Sequence, residues 1–135
     1  MKALTICEPY ASLIAYGNKR YETRSWATKY RGPLIIHAGK SKKYMRKSAE
    51  LGLPEICPKY GMIIAVGELV AVHRITPEFM AELTDAEKAM GFYTPGRYAW
   101  EIRNIVQVDP FKARGQLGVW NWKGANENDN SGIYE

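Results

Sequence analysis

The sequence has little of what builds disulfide frameworks or metal sites, with two cysteines and two histidines in 135 residues. Cys7 and Cys57 stand far apart without a C-x-x-C pair, which excludes a disulfide scaffold and leaves two thiols expected to be buried. His37 and His73 lack the close Cys or His spacing of zinc ligands, so neither a metal nor a cofactor is expected. Long apolar runs are also missing. The longest, Met62 to Val66, is far too short to cross a bilayer, and the N-terminus has no basic region followed by an apolar one. No membrane association and a soluble, cytoplasmic protein are expected. There is no internal repeat, and the length suits one domain that buries roughly two-thirds of its unfolded surface.

Acidic residues are outnumbered, 14 against 19 lysines and arginines, for a net charge of +5 and a pI near 9.2. Such a balance favours anionic partners, and RNA or a nucleotide is the natural candidate. The densest cluster of charge runs from Gly17 to Trp26 and contains Lys19, Arg20, Glu22 and Arg24. An apolar run with helical spacing (Tyr10, Leu13, Ile14) precedes it, and Gly17 sits where a helix would stop in a left-handed residue. If Tyr21 to Trp26 is extended, Glu22 and Arg24 share one face and Thr23 and Ser25 the other. Lys19, in the turn before the strand, can swing toward Glu22. A solvated charged strand is the bland alternative, since exposed ion pairs contribute only about 0–1 kcal/mol.

Along the chain, Lys2 to Cys7 reads as a strand and Tyr10 to Tyr16 as a helix entered through Glu8-Pro9. Pro33 to Ala38 has the apolar, β-branched character of a buried strand. Ser41 can cap a basic helix over Lys42–Leu51. Met62 to Ile75 reads as a central strand with a bulge or corner at Gly67. Thr76-Pro77 opens a helix to about Met90 that breaks near Thr84-Asp85. Arg97 to Val108 alternates as a strand with Tyr98, Trp100 and Ile102 on one face, and Gly115 to Trp122 supplies a last strand. Residues 124–135, polar and glycine-bearing, are expected to be a flexible tail after a folded domain at 1–123. These elements define an α+β chain, a small and partly closed barrel with two or three helices at its rim.

The pattern Gly17-x-Lys19-x-x-Glu22-x-Arg24 resembles the G-x-K-x-x-E-x-R signature of the ASCH domain family, related to the PUA RNA-binding fold. Further blocks are similar to that family in the same order: Leu4-Thr5-Ile6 with Glu8-Pro9-Tyr10-Ala11, Tyr30-Arg31-Gly32-Pro33, Ile36-His37-Ala38, Gly96 to Trp100, and Gly115-Gln116-x-Gly118-x-Trp120. The resemblance covers Lys2 to Trp122 and implies a PUA-like β-barrel. It also implies two activities. One group in the family removes the acetyl group from N4-acetylcytidine with the signature lysine, a threonine at the signature's E position and a later glutamate; other members bind or cut RNA. This sequence has Glu22 in the threonine's place with Thr23 beside it, and Glu68, Glu78 and Glu101 are candidates for the later carboxylate by position.

Two functions from different classes follow. The first is a metal-independent amidohydrolase acting on N4-acylated cytidine or cytosine, with Lys19, Glu22, Thr23 and Arg24 as catalytic candidates. Glu22 would activate a water while Lys19 or Arg24 meets the oxyanion. The second is an RNA-binding module, or a ribonuclease, in the same basic cleft. Partners are thus a modified nucleoside or nucleobase, or RNA. Trp26 and Tyr93, in loops, are expected to stack on a base, whereas Trp100 and Trp120 are expected in the core. His37, at a strand end, can serve as acid or base. Lys40 and Arg97 can meet a phosphate.

Overall fold

A computed structural model describes residues 1–124; the expected tail lies, from residue 125, outside the described residues. Among the described residues six strands form one sheet: β1 (Lys2–Ile6), β2 (Tyr21–Arg24), β3 (Gly32–Ala38), β4 (Met62–Arg74), β5 (Tyr98–Lys112) and β6 (Val119–Asn121). Their order is β2-β5-β4-β3-β1-β6. Only the β1–β3 pair is parallel, and the other four are antiparallel. The sheet coils into a half-barrel, and with the helices makes an α+β architecture.

Curvature comes from the long β4–β5 ladder, whose register shifts between Ile63 and Ala65, Val66 and Glu68, and Leu69 and Ala71. Bulges of this kind bend a strand and raise its twist. Gly67 sits at the middle shift as expected, because a Cβ there would come within 2.5 Å of Ile105 Cδ1. Across from it Asn104 takes a left-handed φ of 54°, which Asn tolerates better than most residues.

Among the described residues four short helices complete the fold: α1 (Tyr10–Ala15), α2 (Met45–Glu50), α3 (Pro77–Ala81) and α4 (Asp85–Ala89). Every residue of α1 is buried, so packing rather than propensity holds a helix this short. It lies over β3 and β5 in the main core with Leu4, Ile36, Leu69 and Trp100. Gly17 ends that segment in a left-handed conformation, φ 84°. Glu8 enters it completely buried, its carboxylate accepting from Ser12 N (2.8 Å), Ser12 Oγ (2.6 Å) and Lys59 N (2.8 Å). The 76–90 helix breaks where expected, since Thr84 starts α4 as an N-cap by accepting from Glu87 N. The basic helix is shorter than expected at its N-terminal end, and β5 runs past Val108 to Lys112. Cys7 is half-buried and Cys57 exposed rather than both buried, because the 52–60 loop packs through Leu53 and Ile56 instead. Among the described residues no helix is long and apolar enough to cross a membrane.

Candidate active site

The signature strand β2 is an edge of the sheet, paired only on the β5 side, where Glu22 lies opposite Trp100 and Thr23 opposite Ala99. Its other side borders a pocket of about 250 Å³ toward Thr5 and Cys7 of the β1 end, roofed by Tyr10, Tyr44 and the Met90–Phe92 turn. Lys19, Glu22, Thr23, Arg24, Trp26 and Arg97 all line it. Arg24 spans the gap, its Nη2 donating to Thr5 O at 2.6 Å. Its Nε lies 3.1 Å from Glu22 Oε2, close enough for an ion pair although the angle makes no hydrogen bond. Glu22 and Arg24 thus share a face, as alternation predicts. Thr23 alternates to the other face, opposite Ala99, where its hydroxyl oxygen accepts from Phe92 N at 3.2 Å, and the pocket wraps the strand edge far enough to include it in the lining.

Lys19 is only 3% exposed. It precedes β2 on the Gly17 turn and points inward, where its Nζ donates to the Met90 carbonyl and lies 5.3 Å from the centre of the Tyr10 ring and 5.7 Å from that of Tyr93. Burial pushes its pKa below the ordinary lysine value, while the fields of Glu22 and Glu87 pull the other way. A lysine in this position is readier to lose its proton than one in water.

Glu87 was not among the expected site residues. Its carboxylate accepts from Arg20 N at 3.0 Å and from the Tyr93 hydroxyl at 2.8 Å. Burial first, and then this carboxylate, hold the Tyr93 phenol well above its ordinary pKa. The spacing Thr84-x-x-Glu87 is the one available sequence signal, and it reads as a capping box. Of the three later glutamates expected, none lines the pocket: Glu68 accepts from Asn104, Glu101 pairs with His73 and Arg103, and Glu78 is exposed in the first turn of α3.

Three of the expected ligand-binding residues fall elsewhere. Tyr93 is 6% exposed and packs beneath Lys19 with Ile75 and Ala99, so Phe92, at 38%, is the aromatic that its loop offers to the pocket. His37 and Lys40 line a second cleft across β1. Both ring nitrogens of His37 are engaged. Nε2 lies 2.7 Å from the Ala113 carbonyl, an acceptor only, so it carries the proton, and Nδ1 accepts from Thr5 Oγ1 at 3.1 Å. Trp120 Nε1 donates to that hydroxyl oxygen in turn, at 3.0 Å. Burial holds His37 below its ordinary pKa, with Lys40 adding to the effect, and the ring ties β1 to the 112–117 segment. Trp26 stays at the pocket rim, edge-on to Trp100 at 4.8 Å, and Trp100 and Trp120 are core. Arg97 braces the rim through Phe92 O (3.1 Å) and Thr23 O (3.4 Å). Among the described residues no group of three or more His, Cys, Asp or Glu is arranged to hold a metal ion.

A half-barrel whose edge strand, with the turn before it, brings a buried lysine, a carboxylate and an arginine to one pocket defines a small-barrel domain with a polar cleft at its sheet edge. The ASCH domain model matches residues 4–114, and the chain belongs to the ASCH domain family, which is associated with RNA binding or hydrolase activity. Among solved structures it is similar to a crystallised mutant of ZmASCH from Zymomonas mobilis, with 14% identity and a TM-score of 0.49 over 82% of this chain and 74% of that one. No curated protein matches it.

Proposed function

We propose that this protein is a hydrolase that removes the acyl group from an N4-acylated cytosine, and that the pocket around Lys19 and Glu22 is where it does so. The observation that carries the reading is Lys19, an amine kept out of water on the lining of a pocket of about 250 Å³ that Glu22 and Thr23 also line. A lysine serving only solubility would not be buried, since an unscreened charge costs several kcal/mol even after relaxation.

The chemistry follows from the contacts. Glu22, fixed by Arg24, takes a proton from water as its oxygen bonds to the acyl carbon. The negative charge that appears on the carbonyl oxygen is met by Lys19 and by the Thr23 hydroxyl, whose own oxygen is already held by Phe92 N. Preorganised donors of this kind contribute most where water is excluded. Collapse of the tetrahedral species breaks the bond from carbon to N4, and the proton held by Glu22 passes to that nitrogen. A carboxylic acid and the free cytosine amine leave. Trp26, exposed at the rim, supplies the face on which the base rests.

Incubating the purified protein with N4-acetylcytidine and following the absorbance change on deacetylation tests this reading. Turnover that vanishes in Lys19→Ala supports it, and equal turnover in that variant removes Lys19 from the mechanism.

A further inference from the structure

A third cleft, about 380 Å³, opens between the 17–21 stretch and the 79–90 segment. Met90 lines both this cleft and the Lys19 pocket, so the two share a wall. Glu87 also lines the cleft, although it is only 6% exposed. Each of its oxygens accepts one hydrogen bond, Oε1 from Arg20 N and Oε2 from the Tyr93 hydroxyl, and each keeps further acceptor capacity. Among the described residues no cation forms an ion pair with it. A buried carboxylate without a counter-charge in contact is costly, and the cavity beside it has room for one. The rest of the lining suits a body that carries a cation. Tyr21 and Phe79 meet there edge to face at 5.4 Å. Against them the His73 ring lies 5.3 Å from that of Phe79, and its Nε2 donates to Glu101 Oε1 at 2.8 Å, so both rings are set before anything binds. Ring faces attract cations, and the chain does this itself: the Arg20 guanidinium stands 5.5 Å from the centre of the Tyr21 ring.

We propose that this cleft binds a small organic amine, its ammonium paired with Glu87 and its aromatic or short apolar body resting on Tyr21 and Phe79, and that its occupancy regulates the Lys19 pocket. An ammonium brings both the donors that Glu87 can still accept from and the charge that nothing in contact supplies. Met90 is the link, since its carbonyl accepts from Lys19 Nζ. The charged groups that act on Lys19 are Glu22 of β2 and Glu87 of α4, with the Tyr10 and Tyr93 rings beside it. A bound ammonium cancels the field of Glu87 at Lys19 and leaves that of Glu22, so Lys19 gives up its proton at lower pH. The effect on rate rests on the reading of Lys19 as hydrolytic; binding in the cleft does not.

The test is calorimetric titration of the full chain with 2-phenylethylammonium, and with 2-phenylethanol as its uncharged counterpart. The amine should bind at least about tenfold more tightly than the alcohol, and wild type at least about tenfold more tightly than Glu87→Gln, as expected for a hydrogen bond to a charged group. Gln can still meet both Arg20 N and the Tyr93 hydroxyl. Phe79→Leu keeps an apolar wall, removes the ring and should lose about threefold. Arg20→Gln should bind more tightly, because its guanidinium no longer competes for the Tyr21 ring, and Glu22→Gln should bind as wild type does. Alcohol as tight as amine, or full affinity in both Glu87→Gln and Phe79→Leu, would overturn the proposal. Equal losses in Glu22→Gln and Glu87→Gln would put the amine in the first pocket and overturn it as well. With the cleft saturated, the pH–rate profile on N4-acetylcytidine should move to lower pH; an unmoved profile would overturn the regulation. Hydrolysis by a wild type that binds no amine would overturn this proposal alone, whereas amine binding without hydrolysis would overturn the hydrolase and keep the cleft.

Discussion

Lys19→Met separates a functional lysine from a structural one. Met keeps the length and apolar stem of the side chain and removes the buried charge. The Met90 carbonyl loses its donor, which costs about 1–3 kcal/mol for a buried acceptor left unpaired. Against this, replacing a buried charge with an apolar residue of similar volume can stabilise by about 1–4 kcal/mol. The two nearly cancel, so the variant should unfold within about 2 kcal/mol of wild type at neutral pH while losing at least ~10²-fold in hydrolysis. The sign of the pH dependence is fixed by the burial. Lys19 in the folded protein has a pKa below its unfolded value of 10.5, so between the two the unfolded chain binds the extra proton and wild-type stability rises with pH. Wild type should therefore gain on Lys19→Met through that window and show a constant offset below it. Urea unfolding of both proteins at pH 7 and at pH 9.5 measures the difference. A variant destabilised by well over 3 kcal/mol at neutral pH, or a wild-type advantage that shrinks toward high pH, would make Lys19 a well-paired strut and refute the reasoning.

Glu87→Gln should lower activity and lower the pH at which Lys19 gives up its proton, because one of the two carboxylates favouring the charged lysine is gone; the pH–rate profile reads this, and the limb assigned to Lys19 should move to lower pH. Since burial depresses His37 below 6.5, the unfolded chain takes up a proton that the folded one declines, and stability should fall as pH drops below 6.5 until the folded pKa is reached; thermal melts should show this slope and lose it in His37→Gln. Gly67→Ala should destabilise by about 1–3 kcal/mol, the usual cost of overpacking, because its Cβ would meet both Ile105 and Ile102 within 3 Å; a melt unchanged from wild type would show that the bulge relaxes freely. Trp26→Ala should raise KM more than it lowers kcat, as the loss of a rim surface that touches no reacting atom.

Much of the fold was legible because local signals agreed with it. Gly17 stops α1 where the apolar spacing ends, Gly67 marks the bulge, and Trp100 alternates into the core. Glu22 and Arg24 could be put on one face from strand periodicity alone. What sequence could not convey was how a coiled sheet brings distant segments against the edge of β2. Thr5 meets Arg24, and Met90 meets Lys19, only through tertiary closure. Tyr93 was misjudged for the same reason: a turn-rich stretch suggested an exposed ring, and its hydrogen bond to a buried Glu87 draws it inward. His37 sits at a strand end as expected, yet the 112–117 loop folds over it and occupies both of its nitrogens.

The measurement that bears most directly on the central claim is the rate of N4-acetylcytidine deacetylation by wild type, Glu22→Gln and Thr23→Val, with intact-mass analysis of the enzyme during turnover. Glu22→Gln keeps shape and removes the base, so its kcat should fall by roughly 10²-fold or more, within the range of general acid–base groups. Thr23→Val should be milder and no acyl-enzyme should accumulate. Full-rate turnover by Glu22→Gln, or an acetyl group found on Thr23, would contradict the account of a water activated by Glu22.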